Sequence, residues 1–247
     1  MNINNYLDST YLKTAEQAGL SEAENVKMVT SCIQEAIDMQ FKLVMIRPEH
    51  VPLAKQMIAA ANAKLTVGTV IGFPEGTATL EEKLHEAQQA IHDGADDLDF
   101  VCNYKAFVAG AFDEVKNEIY QCTKLGLEQH KIVKWIIEIA ALNDKQIIQI
   151  CSLIKKVVLS HFHEKLYPLV YVKSSTGFFV TPDNSPNGAT IPAIIMMLEN
   201  ASPLSVKAAG GVKSYKEALQ MINLGVNRIG TSAARAIAEG QVSDSNY

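Results

Sequence analysis

The sequence lacks the patterns that mark most metal-binding and cofactor-binding proteins. It contains no HExxH, paired-cysteine, GxGxxG or P-loop lysine motif and no carboxylate-rich ligand run. Its four cysteines, Cys32, Cys102, Cys122 and Cys151, stand singly in apolar segments, so we expect reduced core residues rather than a disulfide framework. The sequence therefore predicts neither a resident metal nor a cofactor.

An excess of positive charge and long apolar runs are also missing. The net charge is −5 and the pI is near 5.7, which argues against a nucleic-acid partner bound through a broad basic surface. No apolar run is long enough to span a bilayer, and the first residues show no basic region followed by an apolar stretch. We therefore expect no membrane association and a cytoplasmic location.

Apolar runs that favour strands alternate with helical patterns along all 247 residues. Most of these runs are continuously hydrophobic, as expected for parallel strands that are covered on both faces. The strand candidates are Tyr6–Ser9, Lys42–Ile46, Leu65–Ile71, Asp97–Cys102, Ile132–Glu138, Leu169–Lys173, Leu204–Ala208 and Asn227–Gly230.

Helices between these strands begin at recognisable capping sequences. Ser21, Thr79 and Ser214 are each followed three residues later by glutamate, and Gly94 and Gly225 end two of the predicted helices. Eight strands alternating with helices predict an α/β fold with a single (β/α)8 TIM barrel, and a doubly wound open sheet is the alternative. We expect one domain over residues 1–247, with a short N-terminal helical segment and a polar C-terminal tail.

Two lysines end neighbouring strand candidates. Lys173 follows Val170-Tyr171-Val172, and Lys207 follows one strand–helix–strand unit later in the same kind of apolar context. Most lysines at strand ends reach solvent, but adjacent parallel strands would bring these two amines into one pocket. Crowding of two ammonium groups disfavours protonation and leaves a neutral amine able to attack a carbonyl. The pair therefore indicates Schiff-base chemistry.

Charged residues also interrupt two apolar runs. Asp99 and Lys134 lie inside neighbouring strand candidates, and an ion pair between them would lower the cost of burying each charge. Asp99 is therefore either a structural ion-pair partner or an acid–base group beside the lysines. Glu138 and Asp8 are weaker candidates for supporting groups around that site.

Asp96 and Asp97 precede the apolar part of the Asp99 strand candidate. We expect both side chains to face solvent.

Glycine-rich loops follow the last two strand candidates. Gly210-Gly211 follows one, and Thr231-Ser232 follows the other directly after a glycine. In a barrel these loops often bind phosphate through backbone N–H groups, with Gly177 as a third contact, although ordinary turns are the alternative.

The chain resembles deoxyribose-phosphate aldolase, a class I aldolase family. Six segments along nearly the whole length carry the resemblance: Leu7–Thr10, Gly72–Gly76, Gly94–Asp99, Val172–Gly177, Lys207–Gly211 and Arg228–Ser232. The two lysine segments are the specific ones, and the others support them.

The resemblance implies reversible cleavage of 2-deoxy-D-ribose 5-phosphate to acetaldehyde and D-glyceraldehyde 3-phosphate, in deoxyribonucleoside catabolism. It implies Lys173 as the nucleophile, Lys207 as the group that perturbs its pKa, and Asp99 with Lys207 as the proton relay. Tyr247 would assist proton transfer, and a homodimer or homotetramer is expected. A class I aldolase of other donor specificity and a non-catalytic sugar-phosphate-binding barrel are the alternatives.

The same resemblance assigns five residues to the substrate phosphate. These are Gly177, Gly210, Gly211, Thr231 and Ser232.

Overall fold

A computed structural model describes residues 1–182 and 187–241, and within them eight parallel strands close into a barrel. Each strand pairs with the next in chain order, and the last strand pairs with the first. The (β/α)8 barrel is therefore confirmed and the open sheet is excluded. The strands are β1 Leu7–Tyr11, β2 Leu43–Ile46, β3 Thr66–Ile71, β4 Asp97–Val101, β5 Ile132–Ile136, β6 Val170–Lys173, β7 Ser205–Ala209 and β8 Arg228–Thr231.

Helices cover the outside of the barrel. The glutamate-containing caps predicted at Ser21, Thr79 and Ser214 are present, and each hydroxyl accepts a hydrogen bond from the backbone N–H three residues later. The helices are α1 Ala15–Ala18, α2 Glu22–Asp38, α3 Val51–Ala60, α4 Leu80–His92, α5 Tyr104–Val108, α6 Phe112–Glu128, α7 Asp144–His161, α8 Ile191–Ala201, α9 Tyr215–Leu224 and α10 Ala234–Ala238.

Short elements connect several of these units. The 3-10 helices are Ile3–Tyr6, Pro48–His50, Ile139–Ala141 and Glu164–Leu169. The large apolar core lies between the strands and the helices, where both layers bury aliphatic side chains. Over residues 1–182 and 187–241, no helix combines the length and apolar content that a bilayer span requires.

The inside of the barrel is divided between apolar and charged side chains. Leu43, Met45 and Val70 form an apolar cluster on the β2–β3 side, and Gly68 leaves space that the Met45 side chain fills. Charged residues of β1, β4, β5, β7 and β8 occupy the other side. The polar half of the barrel interior is therefore where the candidate site lies.

A buried ion pair fixes the loop after β3. The Lys83 Nζ donates hydrogen bonds to the carbonyl oxygens of Gly76 (2.7 Å) and Val101 (2.8 Å) and to Glu118 Oε2 (2.7 Å). Glu118 Oε1 in turn accepts a hydrogen bond from the Asn103 backbone N–H. All three ammonium hydrogens are used, so helices α4 and α6 are joined to the carboxyl ends of β3 and β4.

Candidate active site

Both predicted lysines reach the same carboxylate oxygen. Strand pairing sets Lys173 beside Lys207, and the two Nζ atoms lie 2.9 and 3.0 Å from Asp99 Oδ2. All three side chains are buried. The two amines that were predicted to share one pocket therefore lie together in the structure.

Asp99 is surrounded by cations. Its second oxygen, Oδ1, lies 2.7 Å from Lys134 Nζ, so the ion pair anticipated from the sequence is present. Burial alone would raise the pKa of Asp99, but Lys134, Lys173 and Lys207 outweigh burial and hold that pKa well below its usual range. Asp99 is therefore ionised at neutral pH.

The pKa of Lys173 is lowered to about 8. Burial is the largest cause; Asp99 opposes it, and the positive charge of Lys207 adds to it. The argument from the sequence relied on the second cation, whereas removal of the amine from water contributes more. With that pKa, about a tenth of the amine is neutral at pH 7 and can act as a nucleophile.

Asp97 does not face solvent, and the prediction for this residue is wrong. Its carboxylate is buried and lies 2.7 Å from Lys134 Nζ. Side chains two residues apart on a strand point to the same face, so Asp97 enters the barrel together with Asp99. Asp96 lies on the opposite face, half-buried, where it pairs with Lys55 and accepts a hydrogen bond from the Val67 N–H.

Asp8 lies inside the barrel and is paired with Arg228, a residue that sequence reasoning did not select. Arg228 Nη2 and Nε lie 2.5 and 2.7 Å from Asp8 Oδ1, and Lys207 Nζ lies 2.7 Å from Asp8 Oδ2. Arg228 is a charged residue inside the strand candidate Asn227–Gly230, so the signal that singled out Asp99 could have found it.

Glu138 ties the end of β5 to the loop after β6. Its Oε2 accepts hydrogen bonds from the backbone N–H (3.2 Å) and the hydroxyl of Thr176. Burial raises the pKa of Glu138, and the bonds from Thr176 oppose that shift. The Thr176 hydroxyl also accepts a hydrogen bond from the Phe178 N–H. Glu138 therefore holds the segment that directly follows Lys173.

Three glycines of the predicted phosphate loops adopt the left-handed backbone region. Gly177, Gly210 and Gly211 have φ values of 84°, 81° and 80°, a region that favours glycine. The Thr231 hydroxyl already donates to the Val212 carbonyl and accepts from the Ala233 N–H, which leaves the backbone rather than the hydroxyl for a ligand.

Two predicted site residues remain, Ser232 after β8 and Tyr247 at the end of the sequence. The Ser232 side chain is exposed. Tyr247 lies outside the described residues. Ser174, which the sequence reasoning did not single out, joins β6 to β7, since its hydroxyl donates to the Ala209 carbonyl and accepts from the Ala209 N–H.

The model of the DeoC/LacD family of aldolases matches residues 10–151. This chain belongs to that family. Deoxyribose-phosphate aldolase from Thermococcus gammatolerans is 37% identical to this chain over 241 residues, and the match covers 97% of this chain and 96% of the relative. The enzyme of the same name from Streptococcus pneumoniae strain Hungary19A-6 is 36% identical over 248 residues, with complete coverage of both chains. Both full-length relatives extend across Lys173 and Lys207.

A solved structure supports the same assignment. Deoxyribose phosphate aldolase from Aeropyrum pernix, described as having a unique tetrameric structure, matches with a TM-score of 0.74 at 27% identity. The match covers 96% of this chain and 89% of that one. This chain is thus similar in both fold and sequence to proteins named as aldolases.

The remaining candidate ligands do not cluster. Among the residues that the structure describes, no group of three or more His, Cys, Asp or Glu side chains could hold a metal ion. Cys32, Cys102, Cys122 and Cys151 are free thiols, and the last three are buried.

Proposed function

We propose that this protein is a Schiff-base aldolase that reversibly cleaves 2-deoxy-D-ribose 5-phosphate to acetaldehyde and D-glyceraldehyde 3-phosphate. The supporting observation is the buried Lys173 amine, whose pKa is about 8, held with Lys207 on one oxygen of Asp99. The names of the full-length relatives support this choice of substrate.

Lys173 is the proposed nucleophile. Its neutral Nζ attacks the C1 aldehyde of the open-chain sugar to give a carbinolamine. Loss of water from the carbinolamine gives an iminium, which can accept the electron pair of the C2–C3 bond.

Cleavage then requires removal of the C3 hydroxyl proton. Asp99, Lys207 and a water molecule act together in this step, and such acid–base help is worth about 10²–10⁴ in rate. Asp99 is ionised because its pKa lies well below its usual range, so it is the base at the end of this relay. Water takes the C3 hydroxyl proton and passes it to Lys207 Nζ as Lys207 gives one of its own protons to Asp99 Oδ2, 3.0 Å away, and the reverse relay later supplies the proton for C2. The C2–C3 bond breaks, D-glyceraldehyde 3-phosphate leaves, and an enamine of acetaldehyde remains.

Release of acetaldehyde completes the cycle. Protonation of the enamine at C2 restores the iminium, and its hydrolysis frees acetaldehyde and the Lys173 amine. The resemblance gives Tyr247 a part in this proton transfer.

The substrate phosphate is proposed to bind the loops after β6, β7 and β8. Gly177, Gly210 and Gly211 would offer backbone N–H groups, together with the segment Thr231–Ser232. Lys134, Asp8 and Glu138 would support the lysines from their buried positions.

We also propose a cellular setting for the reaction. The enzyme would act in the cytoplasm, in deoxyribonucleoside catabolism, as a homodimer or homotetramer. The tetrameric description of the Aeropyrum pernix enzyme supports an oligomer.

Borohydride trapping tests the chemistry directly. Incubation with acetaldehyde and borohydride should leave a stable adduct on Lys173, located by peptide mass spectrometry. Lys173→Arg should abolish the adduct, and the exposed control Lys64→Arg should retain it. A stable adduct at any residue other than Lys173 would remove the assignment.

A coupled assay tests the substrate. Turnover of 2-deoxyribose 5-phosphate, with and without EDTA, is expected to be equal. Faster cleavage of another sugar phosphate in a donor panel would assign a different specificity. Phosphate-dependent binding without trapping would leave only a binding barrel.

A further inference from the structure

Within residues 1–182 and 187–241, seven charged side chains meet inside the barrel, and six of them form a closed ring. Around this ring cations and carboxylates alternate, and successive partners lie between 2.5 and 3.7 Å apart. The order is Lys207, Asp8, Arg228, Asp97, Lys134, Asp99 and back to Lys207.

The ring is neutral without Lys173. It contains three cations and three carboxylates, and each carboxylate lies between two cations. Burial works against every one of these charges, yet oppositely charged neighbours lower the pKa of Asp8 and Asp99 and raise the pKa of Lys134 and Arg228. Each ring member thus lies beside two side chains of opposite charge.

Lys173 is the seventh member and lies outside the ring. In the described part of the chain, Asp99 is the carboxylate within ion-pair distance of its amine, and Lys134 and Lys207 already share Asp99. A proton on Lys173 therefore gives the buried cluster a net charge of +1.

We propose that Arg228 and Asp97 are positioning residues for the Schiff-base lysine, because they complete a neutral ring that leaves the Lys173 proton without a carboxylate of its own. Neither residue is an ion-pair partner of Lys173, so each acts through the charge balance. This inference rests on the proposed role of Lys173 as the nucleophile.

Other charged and titratable groups also face this region. The charge of the Lys173 amine is influenced by Asp99 of β4, Lys134 of β5 and Lys207 of β7. Lys173 in turn influences Glu138, which follows β5. Tyr171 of β6 interacts with Arg228. All of these groups are kept unchanged in the variants below, so that only positions 97 and 228 are altered.

The test compares two substitutions that unbalance the ring in opposite directions. Arg228→Gln leaves the ring at −1 and favours the protonated amine, so the midpoint of the pH profile for trapping at Lys173 should rise. Asp97→Asn leaves the ring at +1, so the midpoint should fall. For each, a shift on the order of one pH unit is expected for a charge removed from the same buried cluster. Structural damage alone would not move the two midpoints in opposite directions.

Two further variants control for structure. Arg228→Lys keeps the charge and should keep the wild-type midpoint. The double variant Arg228→Gln/Asp97→Asn is neutral again, so it should fold and return to the wild-type midpoint even where a single variant does not fold. A double variant with a shifted midpoint, or single variants with unmoved midpoints, would overturn the proposal.

The wild-type protein separates this inference from the proposed function. Absence of trapping at Lys173 in the wild type refutes the nucleophile itself. If Lys173 is trapped but the midpoint of its pH profile is the same in all ring variants, only the roles of Arg228 and Asp97 are refuted.

Discussion

The Lys173 ammonium is buried where its charge is penalised, so we expect the protein to be less stable because of it. Its pKa in the folded protein is about 8, against 10.5 for an ordinary lysine. Lys173→Met should therefore raise the free energy of unfolding at pH 7 by about 2 to 3 kcal/mol. Urea denaturation measures the change, and the exposed control Lys64→Met should stay within about 0.5 kcal/mol of the wild type.

The pH dependence of that gain has a definite sign. Below pH 8 the amine is protonated in both states, and the folded protein bears the full penalty. Between pH 8 and 10.5 the unfolded chain binds more protons than the folded one, so wild-type stability rises with pH. The advantage of Lys173→Met should shrink across this window, and an advantage that grew there would contradict the assignment.

The same amine should set the acid limb of catalysis. Because attack requires the neutral form, kcat/KM for 2-deoxyribose 5-phosphate should fall about tenfold per pH unit below pH 8 and level off above it. A stopped assay across pH 5.5 to 9 measures the limb. A flat profile down to about pH 6 would mean that the free enzyme does not depend on this proton.

Asp97 shows what the sequence leaves undetermined at the scale of single residues. Asp96 and Asp97 are adjacent and look equivalent, yet only Asp97 shares the inward face with Asp99. Which of two adjacent residues points into the barrel depends on the residue at which the in-and-out alternation of the strand begins. A continuously apolar run does not reveal that residue. Lys173 ends β6 as predicted, whereas Lys207, predicted at a strand end, lies in the middle of β7 and pairs with Lys173 from there.

The loop after β3 depends on a lysine that the proposed mechanism does not use. Lys83→Met would leave Glu118 buried without its cation, and the loss of one partner of a buried pair costs about 3 to 5 kcal/mol. Thermal or urea unfolding should show this loss. The double variant Lys83→Met/Glu118→Leu removes both charges and should recover part of it, and no recovery would mean that the charges are not coupled.

Gly76 of the same loop leaves no room for a side chain beside the Cys102 carbonyl. Its φ is 70°, and a Cβ there would lie 2.4 Å from the Cys102 carbonyl oxygen. Gly76→Ala should lower the free energy of unfolding by more than about 2 kcal/mol, since strain and overlap add. Gly19→Ala is the matched control, because its φ is 66° with nothing within 4 Å of the added methyl group. Equal losses in both variants would rule out the overlap.

The longer elements were predictable because their signals are local. The helices beginning after Ser21, Thr79 and Ser214 follow from side-chain caps next to apolar periodicity. The short helices Ala15–Ala18 and Tyr104–Val108 were not predicted, because fewer than two turns show no period.

At the scale of the whole molecule, the alternation of strands and helices predicted the barrel. Closure itself depends on the pairing of β1 with β8, a contact between distant parts of the chain that no local pattern encodes. The charge ring depends on the same closure, since Arg228 of β8 meets Asp8 of β1 only there. The contact between Arg228 and Asp8 is therefore the part of the site that depends on closure of the barrel.

The negative and positive charges of the ring come unequally from the two halves of the polypeptide. Asp8, Asp97, Asp99 and Lys134 come from the first four-and-a-half βα units, a surplus of two negative charges, whereas Lys207 and Arg228 come from later strands and supply two positive ones. A chain cut between β5 and β6 would thus yield two fragments whose inward-facing charges are unpaired and of opposite sign. Neither fragment could bury those charges by itself. Those fragments should reassemble with each other rather than with copies of themselves.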